Sequence, residues 1–194
     1  MAKASGNTRT VRPTSGTRTQ NYQVYKNEIA MSDVDASQSY FSIKSGGYVI
    51  ALKEEKRKQR SAEEREVAEA MADAGFIVVL TPEGGVKFRS GKSKKKVGDY
   101  VYCDGLVNGH TYEQATKNPQ SSERQNLVNA VDNAIQHAQD KNAQIPLIYD
   151  RYGRFHKEYI EAGLKQFEEN SSYRFKALLV VDQYGHVWEH QHNK

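Results

Sequence analysis

The sequence predicts a mixed central sheet flanked by helices, in the α/β or α+β class. Three observations carry that expectation. Short apolar or β-branched runs occupy residues 47–52, 76–80, 144–149 and 175–181; the stretches between them carry apolar residues at helical spacing; and the two kinds of segment alternate along the chain. The 194 residues are about one domain's worth. No apolar run approaches the roughly 18 residues of a membrane span, and no apolar core follows the basic residues at the amino terminus, so neither a transmembrane segment nor a secretory signal is expected. Cys103, the single cysteine, permits no internal disulfide. A cytoplasmic location fits, as does a protein delivered or packaged by another route.

The net charge of +4 is located rather than spread, because Lys3, Arg9, Arg12 and Arg18 stand among the first 20 residues with no acid. That stretch is rich in Gly, Ser and Thr and lacks the apolar spacing that buries a face, so residues 1–45 are expected to be a disordered or poorly structured basic leader, and residues 46–194 the folded domain.

The first expected strand is the run from Gly47 to Leu52. Ser61 followed three residues later by Glu64 has capping-box spacing and predicts a helix start. Val67, Ala70, Met71 and Ala74 continue it at 3.6-residue spacing until Gly75 stops it. Phe76–Leu80 is a strand ended by the turn around Pro82, Gly84 and Gly85. Between Val86 and Gly98, Lys87, Arg89, Lys92, Lys94, Lys95 and Lys96 form the densest basic patch, with no acid among them. A run of this kind is a solvated loop or a phosphate-attracting surface.

Asp99–Cys103 and His110–Thr116 are expected to pair as a hairpin across a turn at Gly105–Gly109. In the second strand the period of two groups Glu113 with Thr111 and Ala115, and Tyr112 with Gln114 and Thr116. Helices are expected over Ser122–Asp140, with Leu127, Val131, Ala134, Ile135 and Ala138 along one stripe, and over Arg154–Glu169, burying Ile160, Leu164 and Phe167. Strands at Gln144–Tyr149, Phe175–Val181 and His186–His190 complete the series.

Glu64 continues the inward stripe of its helix, whereas Glu66, Glu69 and Asp73 fall on the outer face. It is either the glutamate of a capping box or a ligand facing the sheet. Asp99 is a turn residue after Gly98 or a ligand, and Glu113 a strand surface residue or a ligand. His186, His190 and His192 lack accompanying cysteines and match no standard zinc spacing. Cys103, within a strand, reads as a packed thiol.

The order of these residues resembles a known family. Glu64, Gly75 eleven residues on, an apolar strand, a basic glycine-containing loop, Gly98–Asp99, and Tyr-Glu-Gln-Ala-Thr at 112–116 look like the core of the PD-(D/E)xK, or restriction-endonuclease-like, nucleases. The sequence is most similar to the C-terminal tRNase toxin domain of contact-dependent inhibition (CdiA) proteins, relatives of which occur on phages and other mobile elements. The resemblance spans about Gly46 to Trp188. It implies a nuclease acting on RNA, tRNA in particular, with Glu64, Asp99 and Glu113 holding Mg²⁺, Gln136 of the second helix near the site, and an immunity protein as partner.

The chain departs from the family pattern twice. Gly98 stands where proline is expected, which affects only the turn. Ala115 stands where the family has the lysine that orients water and stabilises the pentavalent phosphate. Lys117, of the same strand parity, or Lys95 or Lys96 of the basic loop would have to replace it. Two alternatives follow. The first is a catalytically silent nucleic-acid-binding or assembly module of a mobile element. The second is a metal-independent ribonuclease using His110, Tyr112, Thr116 and Lys117, which attacks through the RNA 2′-hydroxyl.

Overall fold

Thr17 opens the first helix. In the computed structural model, which describes residues 8–10, 16–54, 60–82, 85–89, 97–101, 103–116 and 123–191, its hydroxyl accepts the Gln20 N–H. The Gln20 side chain in turn accepts the Thr17 N–H at 2.8 Å, a reciprocal capping box. Helix α1 (Arg18–Ile29) follows. This is the first difference from expectation, since the helix lies inside the stretch read as a poorly structured leader. The helix is largely polar, and Val24, Tyr25 and Ile29 pack against a cluster containing Tyr48, Ile50 and Leu52. Short strand β1 (Thr8–Thr10) precedes it, and β2 (Tyr40–Phe41) comes after a 3₁₀ turn at Ala36–Gln38.

Strand β3 (Tyr48–Ala51), helix α2 (Ala62–Asp73) and strand β4 (Ile77–Leu80) occupy the positions their patterns predict. β3 and β4 run parallel, Tyr48 opposite Ile77 and Ala51 opposite Leu80. All eight strand residues are buried, and α2 lays Val67, Ala68, Met71 and Ala72 inward. Gly47 permits the close approach of α2, because a Cβ there would stand 2.2 Å from the Ala72 carbonyl oxygen. Gly75, at φ +96°, ends the helix in the left-handed conformation that glycine adopts without strain.

Strands β5 (Val86–Arg89) and β6 (Val97–Val101) then pair antiparallel with each other, and β1 adds to β5 in parallel as a separate three-stranded sheet. Here the structure corrects two expectations. Lys87 and Arg89 lie on a strand rather than in a loop, and the strand of Asp99 takes β5 as its hairpin partner rather than the strand of Glu113. The segment expected to be the intervening turn contains strand β7 (Gly105–Val107), which pairs antiparallel with β4; the turn proper is Asn108–Gly109. Strand period alone does not name a partner, and the apolar Leu106 and Val107 are more useful buried beside β4 than in a turn.

The chain divides into two compact units, residues 1–111 and 112–194. The second unit takes most of strand β8 (His110–Thr116), then helix α3 (Arg124–Asp140), strand β9 (Ile145–Asp150), helix α4 (Lys157–Asn170), strand β10 (Ala177–Asp182) and strand β11 (Val187–Gln191). β8, β9 and β10 are parallel neighbours joined through α3 and α4, and β11 closes antiparallel on β10. Leu127, Val131, Ala134 and Ile135 of α3 meet Ala115, Ile148, Leu178 and Val180 of the strands, with Ile160 and Phe167 of α4. Gly163 lets α3 and α4 cross closely, since a Cβ on it would lie 2.5 Å from Val131 Cβ.

Candidate active site

Glu113 sits in the middle of β8 with its carboxylate 7% exposed. The strand period turns it to the same face as Ala115, which α3 covers. From α3 the His137 imidazole reaches it, Nε2 to Oε1 at 3.0 Å, while 47% of the histidine side chain remains exposed. A carboxylate that binds one imidazole nitrogen fixes the ring's orientation and turns the other nitrogen outward. A buried acid holding a half-exposed imidazole is thereby suited to moving a proton at the protein surface.

His137 was not singled out by sequence, although a signal for it existed. Ala130, Ala134 and His137 are spaced i, i+4, i+7 along α3, which carries the histidine round to the edge of the buried stripe. Gln136, the residue expected near the site, lies one position earlier and faces elsewhere. It is exposed and donates to Asp132 Oδ1 at 3.1 Å, within a polar layer in which Gln166 of α4 donates to Asn129 and Asp132 of α3.

Glu64 occupies the third position of α2, half-buried, and its backbone N–H donates to the Ser61 hydroxyl at 3.1 Å. Its local geometry therefore realises the cap, and its side chain belongs to the first unit. Asp99 is placed by backbone on β6, beside β5, also in the first unit. Lys87 and Arg89 share one parity of β5, opposite Tyr100 and Val97 of β6. Lys92, Lys94, Lys95, Lys96 and Lys117 lie outside the described residues. Of the alternative cluster, Tyr112 is 1% exposed and so is a core residue, whereas His110 is half-buried.

Ala115 is 6% exposed and packs within the α3-covered core. A buried methyl there is a packing residue. Three carboxylates would suit Mg²⁺, which takes oxygen ligands. Among the described residues, however, no group of three or more His, Cys, Asp or Glu side chains is placed to hold a metal ion. The Asp99 side chain lies outside the described residues. Among the described residues, no helix is long and apolar enough to cross a membrane.

No protein-family model matches the chain, and no curated protein matches it. Among solved structures it is similar to a "CdiA-CT/CdiI toxin and immunity complex from Burkholderia pseudomallei", with 16% identity and a TM-score of 0.44 over 73% of this chain and 98% of that one. At that level of likeness any argument for function rests on this chain's own residues.

Proposed function

We propose that the chain is a toxin-like nuclease acting on RNA, with Glu113 and His137 at its reacting centre. The observation that carries this reading is the 3.0 Å contact between a buried strand carboxylate and a half-exposed imidazole. In the reaction this pair supports, the outward nitrogen of His137 takes the proton of a ribose 2′-hydroxyl. The 2′-oxygen then attacks phosphorus, the bond to the 5′-oxygen breaks, and that oxygen leaves with a proton from a second acid or from solvent. The products are a 2′,3′-cyclic phosphate and a 5′-hydroxyl. Glu113 orients the ring and stabilises the imidazolium that forms. The basic residues Lys87, Arg89, Lys92, Lys94, Lys95 and Lys96 would attract the phosphate backbone. In a Mg²⁺-dependent version of this reading, Glu64, Asp99 and Glu113 would be the residues to hold the ion and Lys117 would take the part of the lysine, and a bound ion would supply charge beside the phosphate and an activated water. A cognate immunity protein belongs to the toxin reading.

The test is cleavage of total tRNA and of plasmid DNA, in Mg²⁺ and in EDTA, by the wild type and by Glu113→Gln and His137→Gln variants. Cleavage of tRNA that survives EDTA and falls about 10²- to 10⁴-fold in both variants supports the general-base reading. Cleavage abolished by EDTA, and by a triple alanine variant at Glu64, Asp99 and Glu113, transfers the chemistry to the metal. Ala115 favours a second reading, a silent nucleic-acid-binding module, because its side chain fills core space where a catalytic lysine would have to emerge. Wild-type protein that binds RNA but cleaves neither substrate under any condition establishes that reading and refutes the first.

A further inference from the structure

Away from Glu113 and His137, two turns of the second unit end β9 and β10, the carboxyl ends of parallel strands where open α/β sheets present their ligand-binding loops. Both turns are built by the same device. Asp150, ending β9, accepts the N–H groups of Arg154 and Phe155 at 2.9 and 3.0 Å. Asp182, ending β10, accepts those of Tyr184 and His186 at 2.8 and 2.9 Å, and its other oxygen meets His186 Nδ1 at 2.9 Å. Each carboxylate is consumed in folding its own turn, and each residue is buried, at 2% and 6% exposure. The turns touch, since a Cβ on Gly153 would stand 3.1 Å from Gln183 Nε2.

What these pinned turns expose is aromatic and basic. Tyr152 and Tyr184 are 51% and 77% exposed, and Trp188, two residues beyond the second turn on β11, is 44% exposed. The Arg154 guanidinium lies over the Tyr152 ring at 5.2 Å, and the Tyr184 and His186 rings are 6.2 Å apart. With both aspartates turned inward, every exposed ionisable side chain of residues 150–156 and 182–188 is an arginine, a histidine or a tyrosine.

We propose that this pair of turns is a stacking platform for single-stranded RNA, its bases laid on Tyr152 and Tyr184 and its phosphates met by Arg151 and Arg154. The proposal rests on the nuclease reading for its ligand class, and it adds a surface that reading does not contain. Aromatic faces accept any base, and cations beside them neutralise the backbone, which is the combination that single-strand binders use. Turns tied down by two backbone hydrogen bonds each lose little backbone freedom on binding. An acidic protein surface is the competing occupant.

Trp188, two residues beyond the second turn, is the only tryptophan in the chain, so its fluorescence reports on ligand held near that turn. The experiment titrates wild-type protein with a single-stranded 2′-O-methyl oligoribonucleotide, which cannot react through its 2′-oxygen, following Trp188 quenching and the anisotropy of a labelled oligonucleotide. Expected are quenching on binding and roughly tenfold weaker affinity in each of Tyr152→Ala and Tyr184→Ala. Tyr152→Phe and Tyr184→Phe should bind as wild type, and Arg151→Ala should lower the salt slope by about one. Alanine variants that bind like wild type, phenylalanine variants that weaken as much as alanine, or wild type that ignores RNA while binding polyglutamate would each overturn the platform. The two proposals fail separately. Protein that cleaves tRNA with both alanine variants binding normally loses the platform alone, and protein that binds through the rings but cleaves nothing loses the nuclease alone.

Discussion

Placing lysine at position 115 looks from sequence like the repair of a nuclease motif, and from structure like an assault on a core. Ala115 is 6% exposed among Leu127, Val131, Ile148 and Leu178. Adding a long side chain to a packed site costs typically 1–3 kcal/mol in displaced neighbours. The ammonium adds a second cost: keeping the lysine neutral at pH 7 against an ordinary pKa of about 10.4 requires about 4.6 kcal/mol. Together these reach roughly 5–8 kcal/mol, comparable with the whole stability of many domains; a stem that snorkels to water would recover part of the charge cost. The two costs separate experimentally. Ala115→Met carries the volume without the charge and should lower the melting temperature by about 2–12 °C, at about 2–4 °C per kcal/mol. Ala115→Lys should fall well below it at pH 7. With the folded-state pKa of that lysine depressed, the unfolded chain binds more protons between the folded pKa and about 10.4, so stability rises with pH there, by about 1.4 kcal/mol per unit. The lysine variant should therefore close much of its gap to the methionine variant between pH 7 and pH 9.5. If Ala115→Lys melts like wild type at pH 7, the packing argument is wrong and the position opens onto solvent or a site.

Three further expectations concern the frame. Gly163→Ala would set a methyl 2.5 Å from Val131 Cβ and 2.9 Å from the Val128 carbonyl; the clash should exceed the gain of about 1 kcal/mol in helix propensity, giving a net loss of roughly 1–2 kcal/mol in a denaturant melt, and a stabilised variant would refute the close crossing. Arg60, with its side chain 2% exposed, donates to the carbonyls of Leu52 and Leu80 at 2.8 and 3.3 Å and lies 3.4 Å from Glu54. Arg60→Ala should cost about 3–5 kcal/mol by removing the cation beside the buried carboxylate, and an Arg60→Ala, Glu54→Gln double variant should recover part of it, whereas additive losses would show that the pair is not coupled. Burial pushes the Asp182 carboxyl up, but the His186 side chain, the N–H groups of His186 and Tyr184 and the imidazole's charge outweigh it and hold it below its usual range. The stability it contributes is thus present above its unfolded pKa of about 3.9 and is lost as pH falls through the folded value. Urea midpoints from pH 6 down to pH 2 should fall more steeply in wild type than in Asp182→Asn, and parallel curves would contradict the assignment.

The helices α2, α3 and α4 and the strands β3, β4, β9 and β10 were legible because burial writes a period into the sequence, as at Val67, Ala68 and Met71. α1 was missed for the converse reason. It is largely polar and carries almost no hydrophobic period, although Thr17 and Gln20 spell its capping box. Parity placed Glu113 and Ala115 on one face correctly, yet parity cannot say what covers a face. That cover comes from α3, whose register over β8 is fixed by tertiary packing, and it is this register that brings His137 to Glu113 and leaves Gln136 outside. Likewise the pairing of β6 with β5 is a choice among partners that alternate equally well.

Cys103 gives the molecule a clock of its own. It is the chain's one thiol and is 5% exposed, with the Thr81 hydroxyl donating to its carbonyl. A thiol-reactive label cannot reach it unless the backbone between β6 and β7 breathes, so the labelling rate of native protein counts those openings one molecule at a time. The same shielding means that only a chain already opened can be joined to another through sulfur.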